Sequence, residues 1–155
     1  MVTRIVRSQE ETRALSTYSK LMRAADSLLV RLQHGGTMGA LTVTQFGTLE
    51  LLLHKGPLPQ HEICRKLLKS GGNITLVVDN LVKKGLVIRR RSTTDRRVVM
   101  VRLSAKGRQL IEELFPGHAR AIAREFSILT AEEQATLGRF CRKLGRQDEV
   151  LPDNS

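Results

Sequence analysis

The sequence predicts a mainly α-helical protein carrying one small β-hairpin, and three observations predict it. Ser8-x-x-Glu11, Thr42-x-x-Gln45 and Thr130-x-x-Glu133 are capping boxes, in which two side chains satisfy free backbone N–H groups at a helix start. Between such starts the apolar residues recur at spacings of three and four, the period of a helix buried on one face. One stretch, Leu86–Leu103, departs from that period and is rich in Val, Ile and Arg around a polar turn.

Taken in order, the first helix starts at Ser8 and carries Leu15, Tyr18, Met22, Ala25, Leu29 and Leu32 as a coiled-coil-like seam to His34, where Gly35-Gly36 ends it. With nothing local to pack on, that seam calls for a partner helix from elsewhere in the chain or from a second subunit. Thr42 starts a helix burying Phe46, Leu49, Leu52 and Leu53, stopped by Gly56-Pro57. A short helix from about Pro59 turns Ile63, Leu67 and Leu68 inward. Ser70 then caps a helix with Ile74, Val77, Val78, Leu81 and Val82 inward, closed at Gly85.

Leu86–Arg91 and Val98–Leu103 read as two strands joined by Ser92-Thr93-Thr94-Asp95, a β-hairpin with a basic tip. Ser104 caps a helix carrying Leu110, Ile111, Leu114 and Phe115. Pro116-Gly117 is expected to kink or break it before Ala119–Phe126 resumes the stripe. Thr130 starts a last helix with Leu137, Phe140, Cys141 and Leu144, and residues 146–155 read as a flexible polar tail. Two short helices, a tight turn and a hairpin describe a winged helix-turn-helix.

Charge says what such a module meets. The chain carries 26 Lys+Arg against 15 Asp+Glu, a net charge of +11, and a balance that basic suits a polyanion. The cations concentrate between Lys83 and Arg108, where Asp95 is the only acid. Four Phe, one Tyr and no Trp leave little to stack on unpaired bases, which favours duplex over single strands. No apolar stretch approaches the roughly 20 residues of a membrane span. The N-terminus turns acidic too early for a signal peptide, and Cys64 and Cys141 make no disulfide framework. Those features place the chain in the cytoplasm, with no membrane partner.

The helix after Ser70 is the recognition candidate, because its outer face shows Ser70, Asn73, Thr75 and Leu76, with Asp79 and Asn80 further on. Asn and Thr read base edges in the major groove, and Leu76 suits a thymine methyl. Gly71 and Gly72 let backbone N–H groups approach a phosphate. In the hairpin, Arg96 and Arg97 at the tip suit a narrow minor groove, with Arg91 on the strand leading to it. Asp95 is repelled by phosphate, so its expected part is to hold the turn and pair with a neighbouring arginine.

At these residues the sequence resembles the MarR family of bacterial transcriptional regulators. The resemblance is carried by Ser70–Gly107, most specifically by Gly85-Leu86-Val87, Asp95-Arg96-Arg97 and Leu103-Ser104-x-x-Gly107. It implies a homodimer, with residues 8–34 and 104–145 as a helical dimerisation region drawn from both termini and 42–103 as the winged DNA-binding domain. It further implies repression at a pseudo-palindromic operator, relieved by a small, often phenolic ligand.

Other readings have less behind them. A ligand-independent or non-specific architectural DNA binder needs the cations but no polar recognition face. An adaptor using the fold without DNA does not need the basic hairpin. No Ser/His/Asp set, paired carboxylates or phosphate loop supports an enzyme, and no cofactor is expected. His61-x-x-Cys64, with His54 nearby and His118 on a later helix, falls short of a metal set. Inert, buried packing is expected of both cysteines.

Overall fold

The computed structural model describes residues 7–67 and 71–146, so Leu68, Ser70 and the expected tail from Gln147 onward lie outside the described residues. Six helices and three short strands follow in order. Helix α1 is Gln9–His34, α2 Val43–Lys55, and β1 Leu58–Pro59; α3 is Gln60–Leu67 and α4 Gly71–Lys83. Strands β2 (Val87–Arg91) and β3 (Val99–Leu103) precede α5 (Ala105–Phe126) and α6 (Ala131–Gly145).

The capping boxes at Ser8, Thr42 and Thr130 all form, and the Ser104 hydroxyl accepts from the Gly107 N–H. Helix α4 ends in a Schellman turn, with Leu86 N–H on the Leu81 carbonyl and Gly85 N–H on that of Val82, both at 2.9 Å. Gly85 has φ of 71° there, a conformation in which a Cβ is strained.

The core lies within the central unit. Phe46, Leu49 and Leu52 from α2 meet Ile63 of α3, Ile74, Val78 and Leu81 of α4, Val101 of β3 and Ile111 of α5. Each such side chain contributes about 2 kcal/mol by leaving water. The sheet is antiparallel in the order β1-β3-β2, with Arg91 opposite Val99 and Val87 opposite Leu103. The two-residue edge strand β1, pairing Leu58 with Val101, is an addition to the expected hairpin. Proline is tolerated there because an edge strand needs only part of its N–H groups.

Three expectations are corrected. Helix α5 does not break at Pro116 but continues through it as one helix. Pro116 and Glu112, whose carbonyl loses its N–H partner, are both exposed, on the side of the helix away from the packed Ile111, His118 and Ala121, where an unpaired carbonyl costs little. Val82 is exposed, because the helix turns its last residues out of the core before the Schellman turn. Cys141 is exposed and Cys64 only half-buried: among the described residues no element covers the stripe of α6 that carries Cys141. Leu137, Phe140 and Leu144 are exposed with it, as are Leu15, Tyr18, Met22 and Leu29 on α1. Neither α1 nor α6 has a buried residue. A salt bridge from Arg31 Nε to Glu125 Oε2, 2.6 Å, ties α1 to α5.

Candidate nucleic-acid interface

Helix α4 and the β2–β3 wing form one surface. Ile74, Val78 and Leu81 are fully buried, which by helical period turns Asn73, Thr75 and Leu76 outward; all three are exposed, Leu76 at 63%. An exposed leucine beside polar side chains has no role in the chain's own packing. Asn80 is half-buried.

Gly71 and Gly72 open the helix with open space where a side chain would stand: a Cβ built on either meets nothing within 4 Å. Neither glycine is therefore required by internal packing or by a positive φ. What their bare backbone offers is room for something outside the chain.

The wing is held to the helix by an ion pair between Asp79 of α4 and Arg89 Nη1 of β2. Asp79, counted on the outer face from spacing, thus faces the wing. In the sequence Arg89 is one of the cations between Lys83 and Arg108, and nothing in its spacing marks it as the partner of Asp79.

At the tip, the chain turns through Ser92–Val98, closed by Ser92 N–H on the Val98 carbonyl at 2.8 Å and Val98 N–H on that of Asp95 at 3.0 Å. Asp95 Oδ1 accepts from Arg97 N–H at 3.0 Å and from Arg97 Nε at 3.2 Å, while Oδ2 accepts from Nη2 at 3.3 Å. The Arg97 side chain, followed by its backbone N–H, holds the Asp95 carboxyl below its usual value. Arg91 Nη1 donates to the Arg96 carbonyl at 2.8 Å, which fixes the backbone and leaves the exposed Arg96 side chain pointing from a braced turn. Arg91, Arg96 and Arg97 are all exposed.

Beneath the wing, helix α5 begins against its base. Ser104 N–H donates to the Leu86 carbonyl at 3.0 Å, the Ser104 hydroxyl to that of Gly85 at 2.6 Å, and Lys106 Nζ to that of Lys84 at 3.0 Å. These bonds account for the Gly85-Leu86 and Leu103-Ser104-x-x-Gly107 pattern: it is the joint between α4, the wing and α5.

A last contact involves Gln60, the first residue of α3. Its Nε2 donates to Thr75 Oγ1 at 3.0 Å, and the Thr75 hydroxyl donates to the Gly71 carbonyl at 2.9 Å. Gln60 gave no sequence signal beyond its place at a helix start.

At the junction of α5 with the turn after α1, His118 is buried. Its Nδ1 lies 2.9 Å from Thr37 Oγ1 and its ring 4.5 Å from that of Phe46. No group of three His, Cys, Asp or Glu among the described residues is placed to hold a metal ion, and His61 lies beside Glu62. No helix among them is long and apolar enough to cross a membrane.

Comparison with known proteins matches residues 41–99 to the MarR family model. The HTH-type transcriptional regulator MhqR of Bacillus subtilis is 37% identical over 86% of this chain and 92% of its own length. A MarR family protein from Bacillus stearothermophilus is 32% identical, with a TM-score of 0.65 over 89% of this chain and 97% of its own. The fold is also that of Sco3205, a MarR family regulator from Streptomyces coelicolor solved in complex with DNA, at 22% identity and a TM-score of 0.80 over 100% of this chain and 96% of that one. A helix-turn-helix with a braced basic wing, matched to a family model over the same residues and to full-length relatives, leads to one assignment: the chain belongs to the MarR family of transcriptional regulators.

Proposed function

We propose that this chain is a sequence-specific, double-stranded DNA-binding repressor that acts as a homodimer on a pseudo-palindromic operator. The observation that carries the reading is the joining of two surfaces by Asp79 and Arg89: an outward face of Asn73, Thr75 and Leu76, and a wing tip presenting Arg96 and Arg97. A helix shaped this way enters the major groove N-terminus first. Asn73, Thr75 and Leu76 then meet base edges, while the backbone of Gly71 and Gly72, which carries no side chain, approaches a phosphate at the positive end of the helix. Arg96 reaches the adjacent minor groove, where negative potential is greatest. That a structure of this fold, Sco3205, holds DNA supports the same docking.

Residues 42–103 serve as the DNA-binding unit, and 8–34 with 104–145 as the dimerisation region. The support for the second assignment is the bare apolar face of α1 and α6, which a second copy covers. Two copies related by a two-fold axis read two half-sites about one helical turn apart. Repression and its release by a small phenolic ligand follow from the family resemblance, and a DNA-binding regulator of a bacterial family acts in the cytoplasm. The cluster of half-buried Thr37 with buried Phe46 and His118, where α5 meets α2, supports ligand entry at the joint of the two regions. A non-specific architectural role is the contrasting reading.

Selection of bound duplexes from a random pool tests the proposal. Enrichment of a single two-fold-related sequence is the expected result. A pool that stays random after several rounds overturns it.

A further inference from the structure

We propose that Gln60 is a positioning residue for sequence readout: it holds Thr75 of the recognition helix as an acceptor-only reader of base edges. This deepens the DNA-binding reading above and rests on it. Gln60 begins α3 directly after β1, whose Pro59 pairs with Met100 of the sheet. Its side chain therefore starts from a backbone fixed by the wing and ends on α4.

The hydrogen-bond inventory of Thr75 decides what it can offer. A hydroxyl has one proton and two lone pairs. Its proton is committed to the Gly71 carbonyl at 2.9 Å, the back-bond that threonine makes within a helix. One lone pair is taken by Gln60 Nε2 at 3.0 Å. What remains toward solvent is one lone pair and the methyl group. A lone pair suits the amino group of adenine or cytosine, and gives nothing to the acceptors of guanine N7 and O6 or thymine O4.

The carboxamide of Gln60 is committed to this contact. Its Oε1 is buried and has no hydrogen-bond partner among the described residues, so its Nε2 bond to Thr75 anchors the amide. Burying an acceptor unpaired costs stability, and a glutamine placed only for packing is replaced by an apolar side chain at no loss. The geometry thus points to a side chain retained for orienting its neighbour. Gln60 is half-buried and its bond to Thr75 lies at the surface, so the contact is at the edge of the proposed groove and not in the core.

A double-mutant cycle on the full-length protein tests this, using Gln60→Met (similar volume, no donor), Thr75→Val (same shape, no hydroxyl) and Thr75→Ser (hydroxyl kept). The readout is discrimination: the ratio of affinities for the selected duplex and for duplexes changed at the base pair facing Thr75, by fluorescence anisotropy. Gln60→Met is expected to reduce discrimination about 3–10-fold in the wild-type and Thr75→Ser backgrounds, the range of one hydrogen bond. In the Thr75→Val background it is expected to change it less than about 1.5-fold. The melting temperature of Gln60→Met is expected to stay at or above that of the wild type, which a merely structural role would lower. Equal losses in all backgrounds, or a lowered melting temperature with unchanged discrimination, overturn the assignment of Gln60. A wild-type protein without preference for any duplex overturns the DNA-binding reading itself, and that outcome is read before any variant is made.

Discussion

Gly107 lies directly against the backbone of Leu86: a Cβ built on it falls 1.8 Å from the Leu86 carbonyl oxygen and 2.8 Å from the carbonyl carbon. No side chain can give way there, because the obstacle is main chain whose carbonyl also accepts the Ser104 N–H. Gly107→Ala must separate α5 from the base of the wing. It is expected to cost about 3 kcal/mol or to prevent folding, read as the midpoint of urea unfolding against wild type. Gly117→Ala, where a Cβ meets nothing closer than a flexible arginine at 3.9 Å, should leave the midpoint unchanged or raise it.

Asp95 tests whether the wing works by shape or by charge. If charge alone matters, Asp95→Asn removes an acid beside phosphate and tightens DNA binding. Since the carboxylate braces Arg97 through three hydrogen bonds, the expected result is weaker binding, on the order of fivefold, with the dimer intact. The same bonds fix the sign of a pH effect. With its folded-state value lowered from 3.8, the carboxylate stabilises the turn above that pH and loses its contribution as pH falls through the lower folded value. An NMR titration should show the Arg97 amide moving with a midpoint below 3.8, and no such midpoint in Asp95→Asn.

Much of this surface was legible in the sequence. Capping boxes at Ser8, Thr42 and Thr130 mark helix starts by local chemistry, and the shift at Leu86 to β-branched residues and arginine marks the hairpin. What spacing could not supply was contact between elements. Asp79 reads as outward by period, and only the packed position of β2 turns it to Arg89. Gln60 meets Thr75 fifteen residues away because α3 and α4 pack, and β1 is too short to carry a strand pattern. Pro116 reads as a kink or break because the rule concerns lost hydrogen bonds, and exposure of the freed carbonyl decides whether the loss ends the helix.

Gly72 separates stability from function. Alanine at this position meets nothing within 4 Å, so Gly72→Ala should restrict the unfolded chain and stabilise the fold by about 0.5 kcal/mol. The methyl group meanwhile stands where a phosphate is proposed to approach the backbone. A higher melting temperature with a lower DNA affinity is expected; equal affinity would remove the first turn of α4 from the interface.

Phe140, 65% exposed on α6, tests the terminal helices. A glutamate there places a charge on the apolar stripe beside Leu137 and Leu144, where a second copy is proposed to pack. Phe140→Glu should shift the protein toward monomer by light scattering at micromolar concentration. If wild type is itself a monomer, the stripe has another role.

If α4 and the wing together read a DNA sequence, the protein must separate one duplex from another. The direct measurement is an anisotropy titration of the wild-type protein, at about 150 mM salt, against its selected duplex and against a scrambled duplex of equal length and composition. Two chains per selected duplex are expected, with an affinity at least about 1,000-fold above that for the scrambled one. Affinities that differ less than about threefold, each falling steeply with salt, would contradict that reading and leave only the attraction of a basic surface for phosphate.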